Sequence, residues 1–163
     1  NKQPVGKDIE KPKLDVLAAQ VKSGSRAFLK EEYKFLAAFV IFLAAVLLGL
    51  YTGMPVSGTV SEAWDDGLRI AGAFIVGALL SAGAGWLGMM VATDGNVRTT
   101  VACTKGSLND GLQVAFTAGS VMGFTVVGLG LLGLACMLWL LLIDRSTGHA
   151  LQLMAGFGFG ASA

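Results

Sequence analysis

The stretch Gly85-Trp-Leu-Gly-Met-Met-Val-Ala-Thr-Asp-Gly-Asn-Val-Arg-Thr-Thr100, GWLGMMVATDGNVRTT, decides the fold. An apolar, glycine-spaced run turns abruptly into Thr93, Asp94, Asn96, Arg98, Thr99 and Thr100. Asp94-Gly95-Asn96 lacks the further acidic groups and terminal Glu of a calcium loop. The simplest physical reading is a membrane helix reaching its end. There the polar groups meet unpaired helix carbonyls, and Arg98 can reach lipid phosphate.

Composition extends that reading outward. Of 163 residues, 54% are hydrophobic and only 14% charged, against roughly a quarter charged in soluble domains. Lys2, Lys7, Lys11, Lys13, Lys22, Arg26, Lys30 and Lys34 crowd the start, and only Arg69, Arg98, Lys105 and Arg145 follow. A polar arm followed by membrane spans fits this segregation. Nucleic-acid binding does not, because no basic patch continues past the arm. We read residues 1–34 as a cytoplasmic polar arm carrying an amphipathic helix, on the recurrence of Leu14, Leu17, Val21 and Phe28. Residues 35–163 form the membrane-spanning region, with spans at about 35–51, 70–93 and 112–143 and a truncated one at 149–163.

The third span is 32 residues without a formal charge, about 48 Å of helix, so it must tilt or protrude. Segment 52–69, with Pro55, Gly53, Gly58, Glu62, Asp65 and Asp66, reads as a polar loop, and 94–111 as a short polar connection. The lysine and arginine bias places residues 1–34 and 94–111 on the cytoplasmic side. Both chain ends look cut, as in a piece of a longer protein.

Small residues recur every fourth position at Ala73, Gly77, Ser81 and Gly85, at Ala84, Gly88 and Ala92, and at Gly111, Ala115, Gly119 and Gly123. Such rows let helix backbones approach closely and gain contacts that lipid cannot match. They predict a tight all-α membrane bundle.

The motifs that suggest other chemistry fail on context. Gly156-Phe-Gly158-Phe-Gly160-Ala161 fits a dinucleotide fingerprint, but no strand–turn–helix unit surrounds it. Closely packed helix glycines are the better reading. Ser81, Ser120 and Ser162 lack the partners of a triad. The lone His149 reads as an interfacial or solvated side chain. Asp65 and Asp66 could hold a cation but read as solvated loop carboxylates. Cys103 and Cys136, one in a polar connection and one in an apolar span, suggest neither a disulfide nor a zinc site.

Four segments, in order, resemble the membrane-integral pyrophosphatases: SRAFLKEEYKFLAAFV (25–40), GWLGMMVATDGNVRTT (85–100), VAFTAGSVMGF (114–124) and GFGFGASA (156–163). The resemblance covers about residues 14–163. It departs at Asp94-Gly95, where an aromatic or small pair is common, at Cys103-Thr104, and at Ala163 in place of a serine. The resemblance implies a bundle of about sixteen helices, a homodimer, and a pump coupling hydrolysis of magnesium pyrophosphate to proton or sodium transport. It implies magnesium (Mg2+) bound by aspartate-rich segments beyond Ala163, so the chain holds no catalytic or metal residue and is inactive alone. Its marker residues, Gly85, Gly88, Thr93, Asn96, Arg98, Thr99, Thr100, Gly119, Gly123, Gly156, Gly158 and Gly160, are expected to pack helices. The other reading is a non-enzymatic multi-span packing subunit or transporter half. The membrane is expected to be vacuolar, another acidic compartment's, or the bacterial inner membrane.

Overall fold

The computed structural model describes residues 6–54, 63–143 and 146–162. A 3-10 turn at Gly6–Ile9 precedes four helices: α1 (Pro12–Gly53), α2 (Ala63–Lys105), α3 (Leu108–Leu142) and α4 (Thr147–Ser162). No strand occurs among the described residues. The fold is all-α. The helices α1 to α3 are each long and apolar enough to cross a membrane, a crossing needing about 20 residues. The expected positions Pro55, Gly58, Glu62, Asp144, Arg145 and Ala163 lie outside the described residues.

Local chemistry sets the helix limits. Pro12 opens α1, where its missing N–H costs no helical bond. Asp15 in the first turn accepts hydrogen bonds from the backbone N–H groups of Gly6 (2.8 Å) and Lys7 (2.9 Å), tying the 3-10 turn back onto the helix. The reversal between them needs a positive φ of 59° at Glu10. At the other connection, Gly106 donates to Ala102 O at 3.0 Å and closes α2. Ser107 and Asp110 then form a reciprocal cap: Ser107 N–H donates to Asp110 Oδ2 (2.8 Å), and Asp110 N–H to Ser107 Oγ (3.4 Å). That pairing starts α3.

Three boundaries differ from the sequence reading. The amphipathic helix of the arm and the first span are one helix, because nothing between Leu14 and Gly53 breaks it. Along it Leu17, Val21 and Phe28 are exposed, while Leu29 is buried. The segment 94–105 is helix and not connection, so the α2–α3 link shrinks to Gly106 and Ser107. Asp65, Asp66 and Arg69 stand in the first turns of α2, not in a loop.

The chain divides into two compact units. In the first, the residues up to Glu32 meet Gly85–Val127. There α2 and α3 run antiparallel: positions 88, 95 and 111 approach Met122, Ala118 and Cys103. In the second unit, Tyr33–Ala84 meet the residues from Gly128 onward. Its core joins Ile70, Leu141, Ala150 and Leu153, flanked by Leu47, Tyr51, Leu138 and Met154, one or more from each helix. Tyr33 donates its hydroxyl to Ala82 O at 2.6 Å, joining α1 to α2.

Both units are inside out by soluble standards. Large side chains such as Phe35, Phe42, Phe116, Phe124 and Trp139 are exposed, while Ala44, Ala71, Ala73, Ala78 and Ala84 are buried. Small residues at contacts with large apolar ones outward is the membrane-helix pattern.

Candidate functional site

The tightest construction in the chain is the contact of α2 with α4, within the second unit. The two helices run parallel. Gly156 lies against the backbone carbonyl of Ile70, and Gly160 against Phe74 O and Ala78 N. From the other side, Gly77 lies against Phe157 O, Gly160 and Ala161 N. A Cβ added at any of the three would meet backbone that cannot swing away. Ala73 and Phe74, between them, have no exposed surface. The backbones therefore touch directly, as glycine spaced by four allows. Gly156 and Gly160 thus both face α2 backbone. Gly158 meets nothing within 4 Å.

A polar pair heads the same contact. His149, in the first turn of α4, lies with Nε2 3.0 Å from Asp66 Oδ1, in the first turn of α2. The Asp66 side chain has no exposed surface and that of His149 only 14%. A carboxylate accepts, so the tautomer of His149 protonated at Nε2 is the one that satisfies this contact. A buried carboxylate is costly without such partners. Beside it, Arg69 Nε donates to Asp65 Oδ2 at 2.8 Å along the helix surface. The expectation of a solvated carboxylate fails for Asp66, and His149 is enclosed rather than solvated, which leaves its interfacial reading standing. Sequence reasoning missed them, although one signal was present: positions 66, 70, 73 and 77 of α2 and 149, 153, 156 and 160 of α4 share the same 4-3-4 spacing.

The marker segment 85–100 lies in the first unit for its whole length. Thr93 Oγ1 donates to Met89 O (2.8 Å) and Met90 O (3.1 Å), Thr99 to Gly95 O (2.9 Å), and Thr100 to Asn96 O (3.1 Å). These are back-bonds within a continuing helix, which satisfy the hydroxyls without ending it. The polar groups therefore do not meet unpaired carbonyls at a helix end. Asp94 forms an ion pair with Lys22 Nζ of α1 at 2.6 Å. Gly88 is buried, and a Cβ there would meet only the flexible end of Met122. Gly85 and Asn96 are exposed, Arg98 half-buried. Gly119 and Gly123 meet nothing within 4 Å.

Chemically, the contacts among the described residues hold helices together. Among the described residues no three His, Cys, Asp or Glu side chains converge where a metal could sit. Asp66 is committed to His149 and Asp65 to Arg69. The described residues do not assemble carboxylates that fit a magnesium pyrophosphate site.

The family profile "Inorganic H+ pyrophosphatase" matches residues 2–163. A protein of Methanosarcina mazei named a K(+)-insensitive pyrophosphate-energized proton pump is 35% identical over 155 residues, covering 95% of this chain and 20% of the relative. A Bacteroides thetaiotaomicron protein, provisionally named a K(+)-stimulated pyrophosphate-energized sodium pump, is 36% identical, covering 93% of this chain and 20% of the relative. Pyrophosphate-energized membrane proton pump 3 of Arabidopsis thaliana is 29% identical over 174 residues, covering 97% of this chain and 21% of the relative. No solved structure matches. The chain spans about a fifth of the length of these relatives.

Proposed function

The chain belongs to the inorganic H+ pyrophosphatase family, and on that premise we propose that it is part of a membrane pump driven by pyrophosphate hydrolysis. The observation that carries the reading is the match across nearly the whole chain to relatives named as such pumps. The packing of α4 supports it. Gly156 and Gly160 of the GFGFGAS segment lie against α2 backbone, which gives two glycines of that segment a physical task.

In this reading the protein is a multi-pass membrane enzyme that splits pyrophosphate into two phosphates and moves a proton or a sodium ion. Relatives with both ion names lie at similar identity, so the family match favours neither. The residues described here supply no step of the hydrolysis. Magnesium would be held by carboxylates outside them, where it would screen phosphate charge and help activate water. Their part is scaffolding: α1 to α3 cross the membrane, and α4 is held to α2. The arm and the α2–α3 connection face the cytoplasm, by the lysine and arginine bias. The intact protein contains a larger bundle and pairs as a homodimer, surrounded by lipid.

The test is transport. The intact protein, reconstituted in sealed vesicles, should build an inward proton or sodium gradient when magnesium pyrophosphate is added outside, with phosphate released in step. Hydrolysis and transport both absent would overturn the pump and leave a non-enzymatic packing role.

A further inference from the structure

We propose that the recess beside Arg98 is a binding subsite for the phosphate of an anionic phospholipid. The recess, about 230 Å3, lies within the first unit between α2 and α3. Arg98 and Asp94 are its charged groups, Thr117 is polar, and Val91, Val114 and Val121 line its apolar side. Arg98 is half-buried, yet it is not among the residues with protein partners of any kind in the described structure. A guanidinium carries a fixed fork of donors matched to phosphate oxygens. Leaving that fork half-buried without an acceptor is costly, which points to an acceptor from outside the chain.

The other polar groups of the recess are already engaged. Asp94 is neutralised by Lys22 Nζ at 2.6 Å. Thr117 gives its hydroxyl proton to Gln113 O at 2.7 Å. The uncompensated charge at the recess is thus positive.

Depth and lining select lipid over a free ion. The uncharged run of α2 ends at Thr93, and Arg98 stands five residues further along the helix. That is about 7–8 Å of rise, the thickness of the headgroup layer, about 5–8 Å on each side. The three valines offer apolar surface to glycerol and the first acyl carbons, which a free phosphate could not use. The proposal stands independently of pumping, since it concerns lipid contact alone.

The test uses the intact protein in mixed micelles, with phosphatidylglycerol and phosphatidylcholine competing and bound lipid counted by native mass spectrometry. Wild type should retain phosphatidylglycerol preferentially. Arg98→Gln should cut that preference by about fivefold, the worth of one basic group near a lipid surface, and Arg98→Lys should keep part of it. Val121→Trp fills the recess while leaving the charge, so it should lose the preference too; it decides the matter if Arg98→Gln fails to fold. An unchanged preference in a folded Arg98→Gln or Val121→Trp protein overturns the proposal. So does displacement of phosphatidylglycerol from wild type by millimolar inorganic phosphate or pyrophosphate, which would make the recess a free-anion site.

Discussion

Taking the imidazole from His149 removes a donor from a carboxylate that has no exposed surface. His149→Ala should therefore destabilise the protein by on the order of 3 kcal/mol. Thermal unfolding of the intact protein in detergent checks this; a loss under 1 kcal/mol would mean that Asp66 rests chiefly on other groups. The Lys22–Asp94 pair makes the contrast. Its side chains are 30% and 53% exposed, and exposed pairs contribute about 0–1 kcal/mol. Asp94→Asn should fall within that range in the same assay. At Asp94-Gly95 both residues are in use. Asp94 reaches Lys22, and a Cβ at Gly95 would stand only 3.0 Å from the Cβ of Ala118.

Between elements, the glycines sort into two kinds that the sequence alone does not separate. Gly156 and Gly160 lie on backbone; Gly158, Gly119 and Gly123 meet nothing within 4 Å among the described residues. Gly160→Ala should force α4 off α2 and cost about 1–3 kcal/mol. Gly158→Ala should cost nothing in packing and gain roughly 0.5–1 kcal/mol of helix propensity. Unfolding midpoints of the two single variants give the comparison, and equal effects would deny the α2–α4 contact. The spans were legible because charge-free runs of that length have few other uses. Where the helices end was not legible. Thr93, Thr99 and Thr100 look like a terminus in a sequence, and only the geometry shows their hydroxyls folded back onto carbonyls four residues earlier. Asp66 and His149 were missed for a related reason. A polar residue at the head of an apolar stripe looks solvated until the stripe's partner is known.

Across the whole molecule, the outward faces matter most. Phe35, Phe42, Phe116, Phe124 and Trp139 need lipid or further protein around them. The two cysteines test how the chain sits. Both are free and exposed; Cys103 lies close to the α2–α3 connection and Cys136 within the apolar length of α3. A membrane-impermeant maleimide should label Cys103 from the cytoplasmic side and leave Cys136 untouched, because a thiol in hydrocarbon neither ionises nor meets the reagent. Labelling of Cys103 from the opposite side would reverse the proposed orientation.

The Asp66–His149 bond also orders events in time. Synthesis runs from the N-terminus, and 82 residues separate the two partners. When the ribosome has made α2, the imidazole that Asp66 will receive does not yet exist, and α3 must cross before it does. The contact between the first turns of α2 and α4 is therefore among the last that the described residues can complete.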